Sequence, residues 1–206
     1  MDFANRRLYL CTPDRPDLAQ FLQVVIAGGV DVVQLRDKHA DAAVILDRAA
    51  LALEICRKNG VPFILNDRPD LALFLDADGV HVGQDDAPPS LCRSILGPNK
   101  VIGLSTHAVG ELDRALDEDV TYLSAGPVEA TPTKPGREAV GLHYVTEAVS
   151  RASVPVFVTG GVTASGIPAL ANAGVRHFVV VRALTEAEHP GVAAEQLRQA
   201  IDRYVN

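Results

Sequence analysis

Eight short apolar runs alternate with eight helix-period stretches along this chain, and that alternation limits the fold more than any other feature. The runs are Leu8–Thr12, Asp31–Arg36, Val61–Leu65, Asp78–Val82, Val101–Leu104, Val120–Ala125, Val154–Val158 and Val175–Val181. Each is rich in β-branched or large aliphatic residues and reads as a strand. Between them, apolar residues recur at helical spacing, as in Leu18, Phe21, Leu22, Val25 and Ile26,. The helices are expected over Asp17–Ala27, Asp41–Lys58, Pro69–Leu75, Pro89–Leu96, Val109–Asp117, Leu142–Arg151, Ser165–Ala173 and Pro190–Tyr204. Glycines or an Asn-Gly pair follow several of them, notably Gly28-Gly29 and Asn59-Gly60, where helices tend to stop.

Strict strand–helix alternation calls for a parallel sheet with helical crossovers. Strands buried on both faces explain continuous apolar runs such as Val154-Pro-Val-Phe-Val,. A spaced echo points to repetition: Ala-Gly-Gly-Val-Asp-Val at 27–32, Asp-Ala-Asp-Gly-Val-His at 76–81 and Ala-Gly-Val-Arg-His-Phe at 173–178. Eight units of about 26 residues close most simply into a compact α/β (β/α)8 TIM barrel,. A doubly wound open sheet is the rival, but no Gly-x-Gly-x-x-Gly turn follows the first strand,. With no linker and no low-complexity segment, residues 1–206 read as one domain,.

Composition narrows the function. A net charge of −7 with no Lys/Arg-rich block argues against nucleic acid,. Any anionic ligand must therefore meet a few placed cations. No apolar run reaches the roughly 18 residues of a membrane span, and the N-terminal stretch lacks a signal-peptide core. Cys11, Cys56 and Cys92 are far apart and odd in number. They read as reduced thiols, which places the protein in the cytoplasm.

The stretch Gly126-Pro-Val-Glu-Ala-Thr-Pro-Thr-Lys-Pro-Gly-Arg-Glu-Ala-Val-Gly141 has no strand or helix pattern. Loops of that length in compact domains are usually functional or disordered. Thr131, Thr133 and Lys134 can present two hydroxyls and an ammonium to an anion, so the stretch reads as a phosphate-handling lid. The plainer alternative is a Pro-rich surface loop.

Barrel active sites lie at the C-terminal strand ends, so those ends are read together. Strand two ends Gln34-Leu-Arg36-Asp-Lys38. Strand residues two apart share a face, so Gln34, Arg36 and Lys38 form a cationic cluster with one amide. The alternative is a solvated end with Arg36 paired to Asp37 or a neighbour. Asn66-Asp67 and Asp85-Asp86 follow strands three and four. One carboxylate from each suits Mg²⁺ held together with substrate phosphate oxygens. Asp85 or Asp86 can instead cap the next helix. Ser105 can donate to a phosphate and His107 can serve as a base, with His81 and His177 weaker candidates. Gly160-Gly161 lets backbone amides approach an anion, or makes a tight turn. Val181-Arg182 closes the last strand.

As an ordered set, these residues resemble the thiamine-phosphate synthase family over essentially the whole chain. The carriers are Gln34-x-Arg36-x-Lys38, Asn66-Asp67, His81-Val-Gly-Gln-Asp-Asp86, Gly103-x-Ser105, Gly126-Pro with Thr131-Pro-Thr-Lys134, and Gly160-Gly161. The resemblance implies a (β/α)8 barrel that joins 4-amino-2-methyl-5-hydroxymethylpyrimidine diphosphate to a thiazole phosphate, with Mg²⁺, releasing diphosphate. It implies that Gln34, Arg36, Lys38, Asn66, Ser105 and Lys134 hold the pyrimidine diphosphate, and that Asp67 and Asp86 hold Mg²⁺. Arg36, Lys38, Ser105 and Lys134 would be the residues closest to the chemistry. Thr131, Thr133, Gly161 and the turn at Val181-Arg182 would hold the thiazole phosphate. One departure stands out: the family usually has a Ser-Ala-Ile-like turn where this chain has Arg182-Ala-Leu. Both partners are small molecules, with a homo-oligomer compatible with the helical faces. The alternatives are a thiazole tautomerase-like paralogue, a non-catalytic barrel that binds thiamine-like phosphates, and a sugar-phosphate isomerase or epimerase. The first tends to lose the metal carboxylates and the loop lysine, which this chain keeps. The last needs an acid/base pair beyond the metal site, and none stands out.

Overall fold

The computed structural model describes residues 2–130 and 138–205. Eight parallel strands close into a barrel in sequence order, β1-β2-β3-β4-β5-β6-β7-β8. They are β1 (Leu8–Thr12), β2 (Val32–Leu35), β3 (Phe63–Asn66), β4 (Gly79–Val82), β5 (Val101–Thr106), β6 (Tyr122–Ala125), β7 (Val156–Val158) and β8 (His177–Val180). Closure is made by β8 pairing with β1, with Leu8 opposite Phe178 and Leu10 opposite Val180. Outside them run α1 (Leu18–Ala27), α2 (Ala42–Lys58), α3 (Pro69–Phe74), α4 (Pro89–Leu96), α5 (Val109–Ala115), α6 (Gly141–Arg151), α7 (Ile167–Asn172), α8 (Arg182–Thr185) and α9 (Pro190–Tyr204). The expected barrel is present. The alternation predicted every helix except α8, a four-residue turn too short to carry a period. β5 runs two residues further than expected, to Thr106.

The period of two sorts the strands into two apolar bodies. Leu8, Leu10, Val33, Leu35, Val80, Val82, Ile102, Leu104 and their counterparts face outward and pack against the helices. Tyr9, Cys11, Val32, Ile64, Val101, Tyr122, Phe157 and Val179 face inward and form a separate core with Phe3. Burial on both faces is what makes the strands continuously apolar. The aromatic residues dominate the interior: Phe3 stacks on Tyr122 at 5.2 Å between ring centroids, and Phe157 meets Tyr122 edge-on at 5.2 Å. Such pairs contribute roughly 0.5–1.5 kcal/mol each beyond area burial.

Higher up the barrel the inward positions become polar. Gln34, Ser105 and Ser124 are buried there, with Asn66 and His81 half-buried. This change from apolar to polar along the barrel axis places the site at the C-terminal ends of the strands. The opposite end is tied by Asp31, whose carboxylate accepts the amides of Arg7 and Leu8 and pairs with Arg198 at 2.6 Å. No helix among the described residues is long and apolar enough to cross a membrane.

Candidate active site

A cavity of about 590 Å³ opens at the C-terminal strand ends and takes lining residues from all eight strands or the turns that follow them. Gln34, Arg36, Lys38, Asn66, Asp67, Asp86, Ser105, Gly161, Val181 and Arg182 all line it. Residues spread over most of the sequence therefore meet in one place, as the strand-end reading requires. Thr131, Thr133 and Lys134 lie outside the described residues.

Lys38 stands between the two carboxylates. Its Nζ is 2.7 Å from Asp67 Oδ2 and 3.6 Å from Asp86 Oδ2. Asp86 Oδ2 also accepts the Gly83 amide at 2.8 Å. Asp67 holds φ at 60°, a left-handed conformation that Asp tolerates better than most side chains,, and its amide donates to His81 O at 2.9 Å. Burial, joined by the facing Asp86 carboxylate and opposed by Lys38, holds Asp67 above the usual carboxylate range. Burial also pushes Asp86 up, but the Gly83 amide, Asp67 and Lys38 outweigh it and lower Asp86. The two facing carboxylates are thus shifted in opposite directions. The helix-capping alternative is not realised: Pro88 precedes α4, and no side chain caps that helix.

Arg36 does not pair with Asp37. Asp37 Oδ1 instead accepts the amides of His39 and Ala40 at 3.2 Å each. Among the described residues, no carboxylate lies within ion-pair distance of Arg36, which leaves its planar fork available to an anion in the cavity,. Gln34 is 4% exposed, and its amide nitrogen has no hydrogen-bond partner among the described residues. A buried donor left unpaired costs about 1–3 kcal/mol, so it is a position where a ligand acceptor would be favoured.

Ser105 belongs to a hydrogen-bonded chain inside the barrel. Tyr9 and Tyr122 hydroxyls are 2.8 Å apart, Tyr122 Oη is 3.0 Å from His81 Nδ1, and His81 Nε2 is 2.8 Å from Ser105 Oγ. Burial pushes both tyrosines up, so they act as neutral hydroxyls. His81 is thus a site residue, although it ranked below His107 on sequence. Its signal was the spacing Gly79-Val-His81, which puts the imidazole on the inward face beside Gly103. His107 lines the cavity with its Nδ1 held 2.9 Å from Glu111 Oε2. His177 lies at the opposite end of the barrel, against Phe157.

Gly160 and Gly161 have φ of 93° and 75°, which favours glycine at both,. Space requires it as well: a Cβ on Gly160 would lie 2.5 Å from Pro127 Cα. One on Gly161 would lie 2.5 Å from a Glu129 carboxylate oxygen. The turn after β7 and the stretch after β6 are therefore in direct contact, and the Val128 amide donates to Thr159 O at 2.8 Å. A smaller cavity of about 260 Å³ continues between the ends of β1 and β8, with Arg36 and Arg182 on its wall. Arg182 lies 3.9 Å from Glu186, an exposed and loose pairing.

Asp67 and Asp86 fit a divalent cation in donor type, since both are hard oxygen ligands aimed at one point that already holds a positive charge,. No third His, Cys, Asp or Glu joins them in a ligand cluster among the described residues. Two carboxylates and no more suit an ion that shares its coordination with substrate oxygens.

A family model described as thiamine monophosphate synthase matches residues 8–184. A thiamine-phosphate synthase from Thermobifida fusca is 47% identical over 203 residues, covering 96% of this chain and 93% of its own. One from Mycobacterium sp. (strain KMS) is 43% identical over 211 residues, with the same coverage. Among solved structures, a thiamine phosphate pyrophosphorylase from Pyrococcus furiosus superposes with a TM-score of 0.88 at 28% identity, covering 97% of both chains. A 3-hexulose-6-phosphate synthase shares the barrel alone, at a TM-score of 0.69 and 20% identity. On the extent and identity of these matches, the chain belongs to the thiamine monophosphate synthase family.

Proposed function

We propose that this chain is a thiamine-phosphate synthase, joining 4-amino-2-methyl-5-hydroxymethylpyrimidine diphosphate to thiazole phosphate with release of diphosphate. One observation carries the reading beyond family membership: a cation cluster, a carboxylate pair and a glycine turn of different strands line one cavity. That cavity is also within the roughly 300–1,000 Å³ range of small-molecule sites.

Gln34 and Ser105 orient the pyrimidine diphosphate. The Gln34 amide nitrogen, without a partner among the described residues, lies in the cavity lining and would donate to a ring nitrogen. If Tyr122 donates to His81 Nδ1, His81 Nε2 carries the proton and donates to Ser105. The Ser105 hydroxyl hydrogen is then free to donate to the ligand. Asn66 adds an amide at the same rim. Arg36 and Lys38 neutralise charge that gathers on the leaving diphosphate as the C–O bond breaks and its electron pair goes to the diphosphate oxygen. Asp67 and Asp86 would hold Mg²⁺, which when bound supplies further charge neutralisation at the diphosphate. Lys134, Thr131 and Thr133 extend the same proposal to the stretch outside the described residues.

The positive charge left on the methylene is spread into the aminopyrimidine ring. The thiazole nitrogen supplies its own lone pair to form the new C–N bond, so no residue need remove a proton from the nucleophile. This agrees with a site in which His107 is bound to Glu111 and no Ser-His-Asp triad forms among the described residues. The Gly160-Gly161 turn and Arg182, which line the same cavity, would hold the thiazole phosphate.

Asp67→Asn keeps the size and the tolerance of left-handed backbone while removing the charge. We expect a native circular dichroism spectrum and at least about a hundredfold loss of diphosphate release, the scale of losing one charge-stabilising group. Wild-type turnover in a folded Asp67→Asn protein would exclude the metal–diphosphate assignment.

A further inference from the structure

The point on which Asp67 and Asp86 converge is taken by the protein's own cation. Lys38 Nζ lies 2.7 Å from one carboxylate and 3.6 Å from the other. A divalent cation held by the same two oxygens would compete with the ammonium for that point, because two cations a few ångströms apart repel strongly. Lys38 is able to leave. It follows β2 on a bend, its side chain is 36% exposed, and its four-carbon stem carries a rotatable head,. The neighbouring Arg36 lines the same cavity and has no carboxylate partner among the described residues. An anion drawn to Arg36 would therefore offer Lys38 a second place to bind.

We propose that Lys38 is an internal stand-in for the divalent cation, released to the diphosphate when that ligand arrives. The free cation then enters poorly, and the cation together with diphosphate enters well. This rests on the metal–diphosphate reading of the site given above. The charge balance supports it. With Lys38 in place the cluster carries one net negative charge, and without it two. One unit of charge at such distances alters cation affinity by about tenfold or more, depending on local screening.

The test uses the full chain and Mn²⁺ as probe, with bound ion measured by equilibrium dialysis and electron paramagnetic resonance. We expect weak Mn²⁺ binding by the wild type alone. Lys38→Met and Lys38→Gln should each bind Mn²⁺ alone about tenfold tighter or more. That gain should vanish when Asp67→Asn is added. Melting curves give a second readout: Mn²⁺ alone should raise the transition of the Lys38 variants and leave the wild type unmoved. Tight Mn²⁺ binding by the wild type without diphosphate would overturn the proposal, as would unchanged or weaker binding in both Lys38 variants. In either of those overturning cases, if inorganic diphosphate still promotes Asp67-dependent Mn²⁺ retention in the wild type, only the stand-in role falls. If Mn²⁺ is not retained even with diphosphate, the metal–diphosphate reading falls with it.

Discussion

The absence of a side chain at position 103 holds the interior polar chain together. A Cβ on Gly103 would lie 2.6 Å from His81 Nδ1 and would also overlap the Tyr122 ring. Gly103→Ala should therefore push His81 away from Tyr122 or Ser105, with an overpacking cost of about 1–3 kcal/mol. A lower urea midpoint and slower diphosphate release are both expected. A wild-type midpoint would mean that the interior has slack that the packing does not show. Ser105 and Arg36 were legible in the sequence because polar residues at the end of an apolar strand invite inspection. His81 ranked only as a weaker candidate, because its value depends on which strand face turns inward. That is settled by pairing across β4, β5 and β6, where His81, Gly103 and Tyr122 stand in register. Arg36 shows the same limit from the other side. Sequence left it open between Asp37 and a ligand, and the structure turns Asp37 to the local amides instead.

At the scale of elements, the strand ends were the most informative part of the sequence. Period two within Gln34-x-Arg36-x-Lys38 pointed to a shared face, yet β2 ends at Leu35 and Lys38 lies on the bend beyond it, so the three residues meet at the cavity through the turn as well as the strand. The helix α8 was hidden because four residues complete barely one turn. The contact between the turns after β6 and β7 was also hidden, since it depends on how close two backbones come. Gly160 is where they meet: φ is 93°, and a Cβ would strike Pro127 and the Val128 amide nitrogen. Gly160→Ala should cost about 1–3 kcal/mol through backbone strain and contact. The Gly161 neighbour is assigned to the thiazole phosphate, so KM for that substrate should rise more than KM for the pyrimidine diphosphate. Steady-state kinetics with each substrate varied in turn checks this. An equal effect on both would remove the turn from the thiazole end.

Across the whole molecule, the barrel separates stability from chemistry. The N-terminal end is closed by Phe3, Phe157, His177 and the Asp31–Arg198 pair. The C-terminal end carries the cavity. His177 makes the first end sensitive to acid. Burial lowers its affinity for a proton, the nearby Arg7 and Arg176 guanidiniums oppose charge as well, and the Arg6 carbonyl and Asp31 only partly offset them. Below its ordinary value of 6.5, the unfolded chain therefore binds a proton at this histidine more readily than the folded one. The unfolded state holds more protons in that window, so stability rises with pH and is lost as pH falls. The wild-type urea midpoint should drop between about pH 7.5 and 5.5, and His177→Gln should flatten part of that drop. Identical slopes would show that His177 does not contribute. The cavity end permits the more direct measurement. Diphosphate and thiamine phosphate are followed together from pyrimidine diphosphate, with thiazole phosphate and Mg²⁺ each present or withheld. The account predicts equal amounts of both products, with neither formed when any one component is missing. A folded protein that binds these ligands yet releases no diphosphate, or releases it without forming thiamine phosphate, would contradict it.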